Sequence, residues 1–222
     1  LIGGDTVTLT ASGNFADKNA GVGKTVSISG SIAGADAANY SASVSGSLTA
    51  DITKKAVTVS GITASDKTYD GTTAATTNTG SANLAGVIGG DTVTVSSTGA
   101  FADKNAGANK TVNLTNVFGG ADAANYSFTD QLTTLASIAK KALVVSGITA
   151  LDKTYDGSTS ATTSTSSVNL AGLVGGDAVT VSSSGAFADK NAGANKTINL
   201  TNVFGGADKA NYVITDQIAA LA

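Results

Sequence analysis

Phe101-Ala102-Asp103-Lys104-Asn105-Ala106-Gly107 occurs three times in this chain, beginning at Phe15, Phe101 and Phe187, with a constant interval of 86 residues. Tyr69-Asp70-Gly71 returns at the same interval as Tyr155-Asp156-Gly157. Recurrence at a fixed period marks a tandem array and constrains the fold before any single strand is read. Laying Ala56–Ala136 over Ala142–Ala222 needs no gap and gives 62 identities in 81 positions. The first 55 residues align with the end of such a unit, with Leu1 opposite Val87. The expected organisation is a partial repeat over 1–55, a complete repeat over 56–141 and a nearly complete one over 142–222. A chain that opens Leu1-Ile2-Gly3-Gly4 and contains no Met is expected to be an internal piece of a longer protein.

Working outward from the repeated heptapeptide, the flanking segments alternate apolar and polar residues with period two. Thr92-Val93-Thr94-Val95-Ser96, Thr111-Val112-Asn113-Leu114-Thr115 and Ala56-Val57-Thr58-Val59-Ser60 all do so. That period belongs to a strand with one buried face, and no segment carries an apolar stripe at helical spacing. Burial is therefore expected for Val93, Val95, Val112 and Leu114 and for their counterparts Val179, Val181, Ile198 and Leu200. Asp70-Gly71, Gly89-Gly90-Asp91 and Gly119-Gly120-Ala121-Asp122 supply turns, because Gly accepts positive φ and Asp tolerates it. The predicted fold class is all-β, with tandem Ig-like β-sandwich repeats of 86 residues arranged end to end. A parallel β-helix would need a shorter sub-period, which is absent. Ser137 to Ser146 passes from one repeat to the next without Gly or Pro, which predicts a short connection with no flexible linker.

Composition narrows the function. The 222 residues hold 13 Lys and 16 Asp and no Glu, Arg, His, Cys, Met, Pro or Trp, for a net charge of −3. Without imidazole or thiol there is no Ser-His-Asp triad, thiolate nucleophile or ordinary zinc site, so no enzyme activity is expected. Thinly spread lysines give no basic stripe, which argues against nucleic acid. No apolar run reaches the length of a membrane-spanning helix, so no membrane insertion is expected in this segment.

The order Asp-Lys-Thr-Tyr-Asp-Gly, Gly-Gly-Asp, Phe-Ala-Asp-Lys-Asn-Ala-Gly and Gly-Ala-Asp-Ala-Ala-Asn-Tyr closely resembles the YDG and MBG repeats. These occur in filamentous-haemagglutinin-like, two-partner-secretion adhesins of Gram-negative bacteria. The resemblance covers nearly the whole chain and implies an extracellular, cell-surface location. It also implies a part in adhesion, aggregation or biofilm formation, and supplies no catalytic residues. The expected role is a structural stalk or spacer that projects a binding region from the cell. Its expected partners are adjacent repeats of the same chain, with like chains, glycans or host and matrix surfaces as further candidates. Direct binding of glycan, matrix or neighbouring adhesin chains by the repeats themselves is the alternative function.

No catalytic, cofactor-binding or metal-ligating residue is assigned from sequence. Asp17, Asp36, Asp91, Asp103, Asp122, Asp177, Asp189 and Asp208 recur in loops and could supply carboxylates for Ca2+, but beside Gly or Asn they suit turns better, and no calcium-loop motif is present. Lys104 beside Asn105 has the residue types of a Lys–Asn isopeptide crosslink, though adjacent residues cannot bridge a core. Asn-X-Ser/Thr sequons begin at Asn39, Asn109, Asn113, Asn125, Asn195 and Asn199. Tyr40, Tyr126 and Tyr212 are expected to be corner tyrosines with the hydroxyl bonded to backbone, rather than sugar-stacking platforms. The same structural reading applies to Tyr69 and Tyr155.

Overall fold

The computed structural model describes residues 1–43 and 47–222. Described residues form strands and three one-turn 3₁₀ helices, Ala37–Asn39, Ala123–Asn125 and Lys209–Asn211. The all-β expectation is met. Two compact units divide the chain: Leu1–Ile62 with Thr79–Ser96 and Asn116–Gln131, and Thr63–Asn78 with Ser97–Thr115 and Leu132–Ala222. The repeat is thus the unit of sequence, while the second repeat distributes its segments between both units of contact.

In the first unit, Thr8–Phe15, Gly21–Ala33 and Leu48–Ile52 form a three-stranded antiparallel sheet. Every residue of Thr8–Phe15 is exposed, as expected of a sheet built mainly from Thr, Ser, Gly and Ala. A second sheet centres on Lys55–Ser60, antiparallel to Asn83–Ala85 and parallel to Tyr126–Thr129. Here the period-two pattern buries Val57 and Val59 while their neighbours stay exposed. Gln131 continues this packing with a side chain in place of a strand. Its Oε1 accepts from the Ile62 amide at 3.0 Å and its Nε2 donates to the Ile62 carbonyl at 2.7 Å, satisfying both backbone groups of a buried residue.

The second unit contains the whole third repeat, which has two sheets. Lys141–Ser146 lies between Asn169–Ala171, antiparallel, and Tyr212–Thr215, parallel. The other sheet runs in the order Ser160–Ala161, Thr180–Phe187, Thr197–Gly205, Ala219–Leu221. Leu143 and Val145 from the first sheet and Ile198 from the second are buried, with Ile148, Val179 and Tyr212. The register repeats with the sequence: Thr58↔Ala85 and Tyr126↔Lys55 become Val144↔Ala171 and Tyr212↔Lys141. Between Thr133–Ala139 and Lys141–Ser146 stands only Lys140, so the connection is as short as expected.

One core expectation needs correction. Val112, Leu114, Val179 and Ile198 are buried, whereas Val93, Val95, Val181 and Leu200 are only half-buried. Alternation is right, but a layer made largely of Ser, Thr, Ala and Gly has too few large side chains to cover every inward position.

Candidate functional site

The repeated heptapeptide folds into a loop that presents one lysine. In the middle copy the Asp103 carboxylate accepts from the Asn105 amide at 2.8 Å and pairs with the Lys110 ammonium at 2.7 Å. This is an Asx-type turn closed by a cation from the following strand. The same turn forms at Asp17, with the Asn19 amide and Lys24, and at Asp189, with the Asn191 amide and Lys196. In each copy the residue between the turn-forming Asp and Asn is the presented lysine: Lys18, Lys104 or Lys190.

A complementary socket is built from Gly-Gly-Asp and Gly-Ala-Asp-X-Ala-Asn-Tyr. Tyr126 donates to Asp91 Oδ2 at 2.6 Å and accepts from the Ile88 amide at 3.0 Å. Asp122 Oδ2 accepts from the Thr92 amide at 2.9 Å. These bonds leave Oδ1 of both carboxylates pointing outward, and Lys18 of the preceding repeat enters between them at 2.6 and 3.0 Å. Asn125 Oδ1 then accepts from the Ala20 amide at 2.9 Å, fixing the loop backbone as well as the charge.

Within the second unit the same joint is made again, 86 residues on. Lys104 reaches Asp177 at 3.2 Å and Asp208 at 3.3 Å, and Asn211 Oδ1 accepts from the Ala106 amide at 2.9 Å. Here a second side chain takes part. Tyr69 donates to Asp177 Oδ2 at 2.9 Å beside the 2.6 Å bond from Tyr212, and the two rings meet edge to face at 5.6 Å. The Asp177 side chain is left 2% exposed.

Electrostatics match the geometry. Hydrogen bonds from Lys18 and then Tyr126 hold Asp91 below its ordinary value, and Lys18 is raised in turn by Asp91 and Asp122. Burial opposes the charge on Asp177, but bonds from Tyr212, Tyr69 and Lys104 outweigh it and its carboxyl is lowered. Burial and the adjacent Asp177 carboxylate push Tyr212 up to about 12.

The remaining copies are open. At the N-terminal end Tyr40 donates to Asp5 at 2.6 Å, Asp36 accepts from the Thr6 amide at 2.8 Å, and no ammonium pairs with Asp5 or Asp36 among the described residues. Lys190 likewise has no carboxylate partner, and Tyr155, the counterpart of the 1% exposed Tyr69, is 60% exposed. A cleft of about 400 Å³ lies over Tyr155 and Lys190. In the preceding repeat the corresponding place is covered by Ile138 and Ala139, paired with Lys67 and Thr68.

Sequence-nominated residues therefore sort into three fates. Asp17, Asp103 and Asp189 shape loops, and Asp36, Asp91, Asp122, Asp177 and Asp208 line sockets. Asp5 was missed, although Gly3-Gly4-Asp5 repeats Gly89-Gly90-Asp91. No three metal-ligating side chains converge among the described residues, and in both closed sockets the cation between the carboxylates is a lysine ammonium. Lys104 pairs with Asp177 and Asp208, so the geometry differs from a Lys–Asn crosslink. The corner tyrosines keep a structural role with a corrected partner: each hydroxyl donates to an Asp and accepts a backbone amide. Tyr155 is the exception, since its side chain is open to solvent.

A YDG domain family model matches residues 1–48, 53–134 and 139–220. No curated protein and no solved structure matches the chain.

Proposed function

We propose that this chain, which belongs to the YDG domain family, serves as a load-bearing spacer in which successive domains are locked to one another. The observation that carries this reading is the joint itself, made twice with equivalent residues: Lys18 on Asp91 and Asp122, and Lys104 on Asp177 and Asp208. A single covalent crossing such as Lys140 leaves neighbouring repeats free to pivot. A second attachment away from that crossing, with an ammonium between two carboxylates and an amide on an Asn carbonyl, opposes pivoting. Repeats coupled in this way have nearest-neighbour terms in their stability, as tandem arrays do.

The parent protein is a secreted surface adhesin of a Gram-negative bacterium, and this segment carries its binding region away from the cell. The family resemblance is the support for that context. Spacing is favoured over direct binding by the fate of the aromatic residues, since Tyr69, Tyr126 and Tyr212 are committed to joints instead of a repeated sugar-stacking surface. Small-angle scattering on the chain and on its Lys104→Ala/Asp177→Ala variant tests the locking. The variant should show a broader distance distribution at unchanged strand content. An unchanged distribution would remove the basis for a locked spacer.

A further inference from the structure

We infer that the open socket Asp5–Asp36–Tyr40 is a docking site for the Ala188–Ala192 loop of a second copy of this chain, with Lys190 as the inserted cation. The inference rests on the joint described above and extends it from neighbours in one chain to separate molecules. Three observations carry it. First, equivalent sockets are filled twice by the same loop sequence. Asp91 with Asp122 holds Lys18, and Asp177 with Asp208 holds Lys104. Second, socket and plug are both preformed while empty. Tyr40 already donates to Asp5 Oδ2, the Thr6 amide already donates to Asp36 Oδ2, and the Ile2 amide already donates to the Tyr40 hydroxyl at 2.8 Å. On the loop, Asp189 already accepts from the Asn191 amide at 2.7 Å, and Lys196 donates to the Asn191 carbonyl at 2.7 Å. Third, charges are left over in complementary form, with two carboxylates on one face and an unpaired ammonium on the other. Tyr126 and Tyr212 are buried and Tyr40 is half-exposed, the difference expected when a socket lacks its cover.

Such a contact is heterologous, with the plug of one copy in the socket of the next. It does not close on itself and adds copies indefinitely. It is also weaker than its tethered counterparts, which enjoy an effective concentration in the millimolar range.

Sedimentation velocity on the purified chain from ~10 µM to ~1 mM tests the inference, since that range reaches the effective concentration of a tether. Weight-average mass should rise with concentration and pass twice the monomer. Lys190→Ala should remove the rise, and Lys209→Ala, at an exposed lysine outside the loop, should not. Asp5→Asn/Asp36→Asn, checked for native strand content by circular dichroism, should also be monomeric. An equimolar mixture of Lys190→Ala with Asp5→Asn/Asp36→Asn has one live socket and one live plug, so it should form dimers and stop there. A chain that stays monomeric throughout, or a Lys190→Ala variant that associates like the parent, overturns the inference. Either result leaves the tethered joints at Lys18 and Lys104 standing.

Discussion

Tyr69 and Tyr155 occupy the same place in two copies of Asp-Lys-Thr-Tyr-Asp-Gly, yet one is 1% exposed and the other 60%. Paired substitutions therefore separate what the local sequence contributes from what docking contributes. Tyr69→Phe keeps the ring against Tyr212 and removes only the 2.9 Å bond to Asp177. A hydrogen bond to a charged acceptor contributes about 1.5–3 kcal/mol. Since Tyr212 still donates to the same Asp177 oxygen, the cost should sit near the lower end, about 1.5–2 kcal/mol. Tyr69→Ala also deletes a buried ring and should cost about 3–5 kcal/mol. Tyr155→Phe and Tyr155→Ala alter an exposed side chain and should stay within about 0.5 kcal/mol of the parent. Urea unfolding followed by far-ultraviolet circular dichroism provides the measurement. With m of about 2 kcal/mol/M, Tyr69→Phe lowers the midpoint by roughly 0.7–1 M while m stays constant. Equal midpoint shifts for Tyr69→Phe and Tyr155→Phe, or a Tyr69→Ala cost below about 1 kcal/mol, would refute the assignment of Tyr69 to the joint.

Stability should be level through neutral pH, because the chain has no His, and should fall at both extremes. Lys67 holds Asp70, and Lys153 holds Asp156, at about 2 against an ordinary 3.8, so their contribution is present above 3.8 and lost as pH falls toward 2. Tyr212 is raised from 10 to about 12, so its contribution is present below 10 and lost as pH rises toward 12. Urea midpoints measured across pH check both limbs, and a decline within the neutral range would contradict them. Gly147→Ala should destabilise by more than about 2 kcal/mol, because φ is +82° and the new Cβ would lie 2.3 Å from the Ser167 carbonyl oxygen. Gly157→Ala, at φ +77° with nothing within 4 Å, should cost only about 1 kcal/mol, as thermal melts of the two variants would reveal. Gln217→Ala should cost about 2 kcal/mol in urea titration, since it strands the Ile148 amide and carbonyl now bonded at 2.9 and 2.8 Å. A neutral result would mean that water replaces the side chain.

The repeat, the strand content and the loop positions were legible in the sequence because each is a local property. Period two in Thr111–Thr115 is enough to place Val112 and Leu114 on one face, and both are buried. Depth of burial was less legible. Val95 alternates as cleanly as Val112 yet is only half-buried, because cover depends on side chains brought from other strands. Turn chemistry at Asp103 was read correctly, while the carboxylates once considered for calcium proved to have lysine as their cation.

By itself, then, the sequence determined that this protein is an all-β array of 86-residue units and where each unit turns. Hydrophobic alternation and glycine placement act between residues a few positions apart, and the repeat copies them faithfully. Only the tertiary structure decided that Lys18 belongs to Asp91 and Asp122, that Lys104 belongs to Asp177 and Asp208, and that Lys190 belongs to neither pair. Three identical loops carry the same local chemistry. What distinguishes them is whether a socket is brought within hydrogen-bonding distance, and that is fixed by long-range packing that no local pattern records.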